Sequence, residues 1–192
     1  MSVMGIDQST RGTGICIWEP RSKEIIYAAK LEQTTKSNKK TMNKKILIFH
    51  ETGVSGRKIR EVKPFIVKDG NPYYKIQRIQ LIVDWVKSMI SDFDVKHINI
   101  EGASFGSRGL MVDIGMILGC LELTFTELKI PYNEYPPKTV KKYLTGNGNA
   151  TKPDMVAAVE QIFQLETAID DIADATALAA IEELKKLRRV RP

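Results

Sequence analysis

The sequence predicts an α/β layered fold built on a mixed sheet, and three observations carry that reading. Three β-rich runs open the chain with a turn signal between the second and third. Helical and strand-like patterns then alternate to the C-terminus, the order expected of helices packed on a sheet. Two of the apolar strand candidates end on an acid, Asp7 and Glu101.

In order, "SVMGID" (2–7) is a short apolar run that stops at Asp7. "GTGICIWEP" (12–20) and "KEIIYAAKLE" (23–32) flank the turn signal "PRSK" and complete an antiparallel meander. From Tyr73, apolar residues recur at Ile76, Ile79, Val83, Val86 and Ile90, which is helical spacing. "VKHINIE" (95–101) reads as a buried strand. Residues 109–129 are apolar all round with Gly115 and Gly119 among them, which fits either a buried helix or a dimer face. "IPYNEY" is a short strand. "PPKTVKKYL" starts a helix with proline at its entry. "TGNGNA" is a turn, Thr151 is a helix N-cap candidate, and a helix follows to about Gln164. A single last helix is expected from about Asp171 to Leu187, with a frayed tail "KKLRRVRP" (185–192).

The 192 residues fit one domain. With 43% hydrophobic and 27% charged residues the chain reads as soluble and globular. The formal net charge of +6 favours an anionic partner, nucleic acid being the commonest. Residues 36–75 hold eleven Lys or Arg against three acids, so they read as a basic insertion after the third strand, with "KILIFHE" and "VKPFIV" as a hairpin around "TGVSG". The segment is too short for a core of its own. Cys16 and Cys120 lie among apolar residues outside any C-x-x-C motif, which predicts buried free thiols in a reducing compartment. With His50 and His97 they form no zinc pattern. The opening residues do not read as a secretory signal, and the most apolar run, from Gly109, is broken by Asp113 and Glu122 and is too short to span a bilayer. These features predict a cytoplasmic protein with no membrane partner.

The stretch "AIDDIADATALAA" (168–180) carries the chemistry. Asp170, Asp171 and Asp174 open an otherwise small-residue, core-facing helix, where their charge is unfavourable unless something positive sits beside it. Asp171 and Asp174 are three apart and share a face, with Cβ atoms roughly 5–6 Å apart. In an open α/β sheet, strand ends at one edge are where ligands bind. Bringing this helix start to Asp7 and Glu101 would gather four carboxylates whose mutual repulsion divalent cations relieve. Oxygen ligands of this kind suit Mg²⁺ or Mn²⁺, and two such ions can clamp the attacking and leaving oxygens of a phosphoryl displacement. A lone acid at a strand end is ordinarily just solvated, and an acidic first helical turn is equally a complement to the helix dipole. The joint pattern is what points to a metal site.

Four blocks, "GIDQSTRGTGICIW" (5–18), "INIEGASFGSRG" (98–109), "KKYLTGNGNATKPDM" (141–155) and "DIADATALAA" (171–180), resemble the RuvC family of Holliday-junction resolvases within the RNase H-like superfamily. The resemblance implies an RNase H-like mixed five-stranded sheet flanked by helices. It implies that Asp7, Glu101, Asp171 and Asp174 are catalytic and hold two Mg²⁺ or Mn²⁺ ions, and it assigns Asp170 no counterpart. Lys141 and Lys152 match family lysines near the scissile backbone, and Lys138 and Lys142 lie beside them. Phe105 resembles the aromatic that wedges into the junction, although it follows Glu101 by four residues and not three; Arg108, in the same block, is taken as a DNA contact. Arg57, Lys58 and Arg60 would extend the DNA footprint from the insertion. "DQST" replaces the usual Asp-Pro-Gly-Ser, and the insertion departs from the compact cellular enzymes, which suggests a bacteriophage or other viral version acting in the host cytoplasm.

The implied activity is resolution of four-way or other branched DNA as a homodimer, by paired nicks leaving 5′-phosphate and 3′-hydroxyl ends. A broader branched-DNA or RNA–DNA hybrid nuclease of the same superfamily remains an alternative, as does a non-catalytic DNA-binding protein on this fold. A sugar kinase or actin-like ATPase would explain "DQSTRGTG" as a phosphate turn, but such proteins need two domains of this kind and a second phosphate motif.

Overall fold

Strand β1 (Ser2–Gln8) pairs antiparallel with β2 (Gly12–Glu19) on one side and parallel with β6 (Val95–Glu101) on the other. The computed structural model describes the backbone of residues 1–8, 12–38, 41–51, 66–68, 74–102 and 111–190, and the side chains of these apart from 32–51, 66–68, 74 and 190. β3 (Glu24–Asn38) continues the antiparallel meander, and β7 (Tyr132–Tyr135) adds a second parallel pairing outside β6. These are the five expected strands, in the spatial order β3-β2-β1-β6-β7. The sheet continues beyond β3 with β4 (Thr41–Glu51) and β5 (Ile66–Lys68), so the described residues form seven strands. β4 and β5 pair antiparallel with Ile46 opposite Ile66, the hairpin partners read from "KILIFHE" and "VKPFIV".

Alternation along the strands divides the core into two layers. Met4 and Ile6 of β1, Ile15 and Ile17 of β2, and Ile98 and Ile100 of β6 face helices α1 (Tyr74–Asp92) and α2 (Met111–Glu127). The opposite face carries Cys16, Trp18 and Ala28. It is covered by α3 (Pro137–Thr145), α4 (Lys152–Phe163), α5 (Asp170–Ala179) and α6 (Ile181–Val190).

Helix ends follow local chemistry. Pro137 enters α3, and Gly146 terminates it at φ 89°, a left-handed conformation natural to glycine. Thr151 caps α4 through a capping box: its hydroxyl accepts from the Asp154 amide, and the Asp154 carboxylate accepts from the Thr151 amide at 2.8 Å.

Three expectations need correction. The last helix is two helices, because the chain bends at Ala180 (φ −97°, ψ 13°). α5 is buried on nearly all sides and lies flush on the sheet, whereas α6 is amphipathic and packs against α3, so one straight axis cannot serve both. The tail is docked as far as Arg188, whose Nε and Nη2 donate to the carbonyls of Tyr143 (3.1 Å) and Leu144 (2.8 Å) at the end of α3. Cys16 is buried as expected, with its thiol pushed up to about 12 by burial, but Cys120 is exposed. Cys120 lies on the outer side of α2, away from Ile117, Leu121 and Phe125, which face the core. Outward from the same helix stand Val112 and Leu123, and a Cβ at Gly115 or Gly119 would meet nothing within 4 Å. Of the two readings of this segment, a fully buried helix is therefore excluded.

Candidate active site

Asp7 and Glu101 are brought together by strand pairing. β1 and β6 run parallel with Ile6 opposite Ile100, so the next residues, Asp7 and Glu101, end adjacent strands at the same edge of the sheet. Ile6 and Ile100 face α1 and α2, so alternation turns both acids to the face that α5 covers. Gln8 stitches the two ends together, its Nε2 donating to the Glu101 carbonyl at 3.3 Å.

Asp171 arrives from the first turn of α5 and Asp174 from the second. What seats that helix is a set of glycines that sequence reasoning did not single out. A Cβ at Gly5 would stand 2.0 Å from the Ala175 carbonyl oxygen, and one at Gly14 would stand 2.2 Å from that of Asp171. Residues 171, 175 and 179 form an i, i+4 ridge that rests directly on strand backbone. The alanines of "ADATALAA" are small for the same reason. Asn99, on the same face of β6, donates from Nδ2 to the Leu178 carbonyl at 2.9 Å and fixes the other end of the helix. The overlooked signal was the placement of Gly5, Gly12 and Gly14 on one face of two paired strands.

The electrostatics show four acids crowded into a half-dry volume. Burial, followed by the charges of Glu101, Asp174, Asp171 and Asp170, raises Asp7 well above the ordinary carboxylate range. Glu101 is pushed up to about 7 by burial and by Asp174, against the pull of Lys141. Asp174 is pushed up to about 6, again chiefly by burial, with Lys141 opposing. Asp170 differs. Partial burial pushes it up, but the Lys152 ammonium, which donates to its Oδ2, more than reverses this, so its carboxyl sits below the ordinary value.

Lysines border the acids. Lys141 of α3 is half-buried and donates from Nζ to the Ala150 carbonyl at 2.9 Å, and its charge acts on both Glu101 and Asp174. Lys138 and Lys142 are exposed one helical turn apart on α3. Lys152 is exposed at the start of α4. Lys30 of β3, which sequence reasoning missed, makes a 2.6 Å ion pair with Asp171 Oδ2. It was legible only as a lone lysine in the apolar strand "EIIYAAKLE". Phe105, Arg108, Arg57, Lys58 and Arg60 lie outside the described residues.

The donor set is all oxygen and all anionic, the chemistry that suits a hard divalent cation. Three of its members are raised in the direction expected of a site short of positive charge. Among the described residues, no three metal-ligating side chains are closed tightly enough to hold an ion as they stand, and Asp171 is engaged by Lys30. The residues fit a divalent ion in kind and in charge. No described helix is long and apolar enough to cross a membrane.

A sequence model of the family described as "Crossover junction endodeoxyribonuclease RuvC" matches residues 52–182. The RuvC protein of Endomicrobium trichonymphae is 36% identical over 107 residues, a match covering 54% of this chain and 56% of that protein. The chain thus spans little more than half the length of that curated relative. The solved structure of Thermus thermophilus RuvC superposes with a TM-score of 0.61 at 21% identity, covering 98% of this chain and 97% of the other. The same protein in complex with a Holliday junction substrate superposes with a TM-score of 0.62, again at 21% identity, covering 98% and 96%. At that identity the likeness shows a shared fold.

Proposed function

The chain belongs to the RuvC family, described as crossover junction endodeoxyribonuclease, and from that premise and the site geometry we propose that it is a metal-dependent, structure-selective endonuclease that resolves four-way DNA junctions in recombination and repair. The observation that carries this reading is the convergence of Asp7, Glu101, Asp171 and Asp174 at one sheet edge beside Lys141.

In this reading the four acids hold two Mg²⁺ or Mn²⁺ ions. When bound, the ions would supply Lewis-acid stabilisation of the charge that builds on the phosphoryl oxygens. Water attacks phosphorus in line and gives up a proton to solvent, the P–O3′ bond breaks, and O3′ takes a proton from solvent to leave as the 3′-hydroxyl, with the phosphate remaining on the 5′ end. Lys141, held half-buried beside Glu101 and Asp174, offsets charge at the reacting phosphate. Lys152 holds a flanking phosphate, and exposed Lys138 and Lys142 position the backbone without reading sequence. Phe105 and Arg108 follow Glu101 in the chain and contact the junction, with Phe105 as the candidate wedge. Arg57, Lys58 and Arg60 extend the footprint through sequence-independent charge.

A four-way junction carries two strands of like polarity to be cut, which calls for two copies of the site. The outward stripe of α2, with Val112, Gly115, Gly119 and Leu123, is the proposed homodimer face. The protein is proposed to act in the cytoplasm, that of the host if the chain is viral.

Nicking of four-way, three-way, flap, linear duplex and RNA–DNA substrates, each with Mg²⁺ and with chelator, tests this reading. The expected result is Mg²⁺-dependent, symmetrically paired nicks in the four-way junction, with 5′-phosphate ends. Preferential cutting of the hybrid, or cutting undiminished by chelator, would overturn it.

A further inference from the structure

We propose that Lys30 is a positioning residue of the carboxylate site: its ammonium group holds one oxygen of Asp171 as a resident counter-ion, and a divalent cation entering the site competes with it for that carboxylate. The inference rests on the metal-binding reading above and adds a residue to it that the four sequence blocks do not include.

Strand pairing dictates where Lys30 sits. Asp7 pairs with Gly14 across β1 and β2, and Gly14 pairs with Lys30 across β2 and β3. The three therefore form one row across the sheet, on the face covered by α5. The middle member has no side chain, and Asp171 occupies the space this leaves, its carbonyl over Gly14 and its carboxylate against Lys30. The lysine and aspartate side chains are only 14% and 16% exposed, too enclosed for Lys30 to serve as an outward-facing contact for DNA phosphates. Gly12 closes the arrangement from below. A Cβ there would come within 2.8 Å of Asp171 Oδ2 and 2.9 Å of Lys30 Cε, so the pair is packed against bare backbone.

The pair distinguishes Asp171 from its neighbours. Asp7, Glu101 and Asp174 are raised by burial and by one another, whereas Asp171 has a cation at 2.6 Å. Lys30 thus holds one oxygen of Asp171 while no metal is bound. Its fixed positive charge also repels an entering divalent ion, and its hydrogen bond occupies an oxygen the ion could use. Removing the ammonium should leave a more negative site with Asp171 uncommitted, and metal should bind it more tightly.

Mn²⁺ binding to the full chain without DNA, followed by the electron paramagnetic resonance signal of the free ion, reads this directly. Lys30→Met is expected to bind Mn²⁺ roughly tenfold more tightly than wild type, while Lys30→Arg, which keeps the charge, stays within about twofold. In an Asp171→Asn background, Lys30→Met should tighten Mn²⁺ binding by no more than about twofold, because only the through-space repulsion of the ion by the lysine is left to remove. Unchanged or weaker binding by a folded Lys30→Met protein overturns the inference, as does equal tightening in the Asp171→Asn background. Should Lys30→Met fail to fold, Lys30→Gln, which keeps a polar chain of similar reach without the charge, takes its place: roughly tenfold tighter Mn²⁺ binding supports the role and unchanged or weaker binding overturns it. Absence of Mn²⁺ binding by wild type would instead overturn the metal reading itself, and this inference with it.

Discussion

Gly14 lies directly beneath Asp171, so close that a methyl group on Gly14 would stand 2.2 Å from the Asp171 carbonyl oxygen. The neighbouring atom is helix backbone and cannot swing aside. Gly14→Ala must therefore lift the N-terminal half of α5 from the sheet, and with it two of the four acids. The expected cost is about 3 kcal/mol of stability together with loss of nicking. Gly119→Ala, where a Cβ meets nothing within 4 Å, should leave the fold unchanged or stabilise α2 by about 0.5–1 kcal/mol. Thermal unfolding of the two variants side by side checks the contrast.

Asp7→Asn should abolish cleavage while junction binding survives or tightens, because the carboxylate contributes nothing attractive to DNA phosphates. It should also raise the stability of the metal-free protein, since it removes a buried charge that four neighbouring acids repel. Near-normal Mg²⁺-dependent nicking by folded Asp7→Asn would remove the basis for the metal assignment.

Asp170 and Asp171 are expected to separate. Asp170 is occupied by Lys152 at the rim, and its charge weighs less on Asp7 than those of Asp174 and Asp171. Asp170→Asn should keep much of the activity, and Asp171→Asn should lose it. Steady-state nicking rates in Mg²⁺ decide the matter; a dead Asp170→Asn beside an active Asp171→Asn would shift the ligand by one residue.

The raised carboxyls set the pH dependence of the metal-free protein. In the range between their ordinary values and their folded values of about 6 for Asp174 and about 7 for Glu101, the folded state binds more protons than the unfolded state. Their contribution is therefore fully present below about pH 4 and is lost as pH rises through about 7. Melting temperature in chelator should fall by roughly 5 °C between pH 5 and pH 7.5 on this account, and Glu101→Gln should flatten the decline. Mg²⁺ should restore more stability at pH 7.5 than at pH 5, because binding needs the carboxylates ionised. A decline in chelator that Glu101→Gln leaves unaltered would assign it to other groups.

Leu123, 61% exposed on the outward stripe of α2, tests the dimer face. Leu123→Glu should convert a dimer into a monomer by light scattering and turn paired nicks into single ones. A wild-type monomer, or a dimer indifferent to this substitution, would place the interface elsewhere.

Neutralising Arg57, Lys58 and Arg60 should weaken binding to many DNA shapes and reduce the steepness of its salt dependence by about 0.9 per lost phosphate contact. Affinity measured across salt concentrations reads this; an unchanged slope would mean that these residues face away from DNA.

Local pattern determined much of this protein. The meander of β1 to β3, the helix from Tyr74, the strand ending at Glu101 and the capping box at Thr151 each follow from alternation, helical spacing or cap chemistry within a few residues. Asp7 and Glu101 were legible as strand-end acids, and Asp171 and Asp174 as one helix face, because those relations are also local. Tertiary structure alone decided what crosses between elements. The bend at Ala180 arises because α5 and α6 rest on different surfaces, the sheet and α3. The exposure of Cys120 depends on which side of an all-apolar helix meets the core, and periodicity cannot state that when both sides are apolar. The glycine seats under α5 and the pairing of Lys30 with Asp171 join residues about 140 or more positions apart, through strand register and helix placement that no window of sequence contains. The sequence named the acids; register and packing decided how closely they meet and which cation holds one of them.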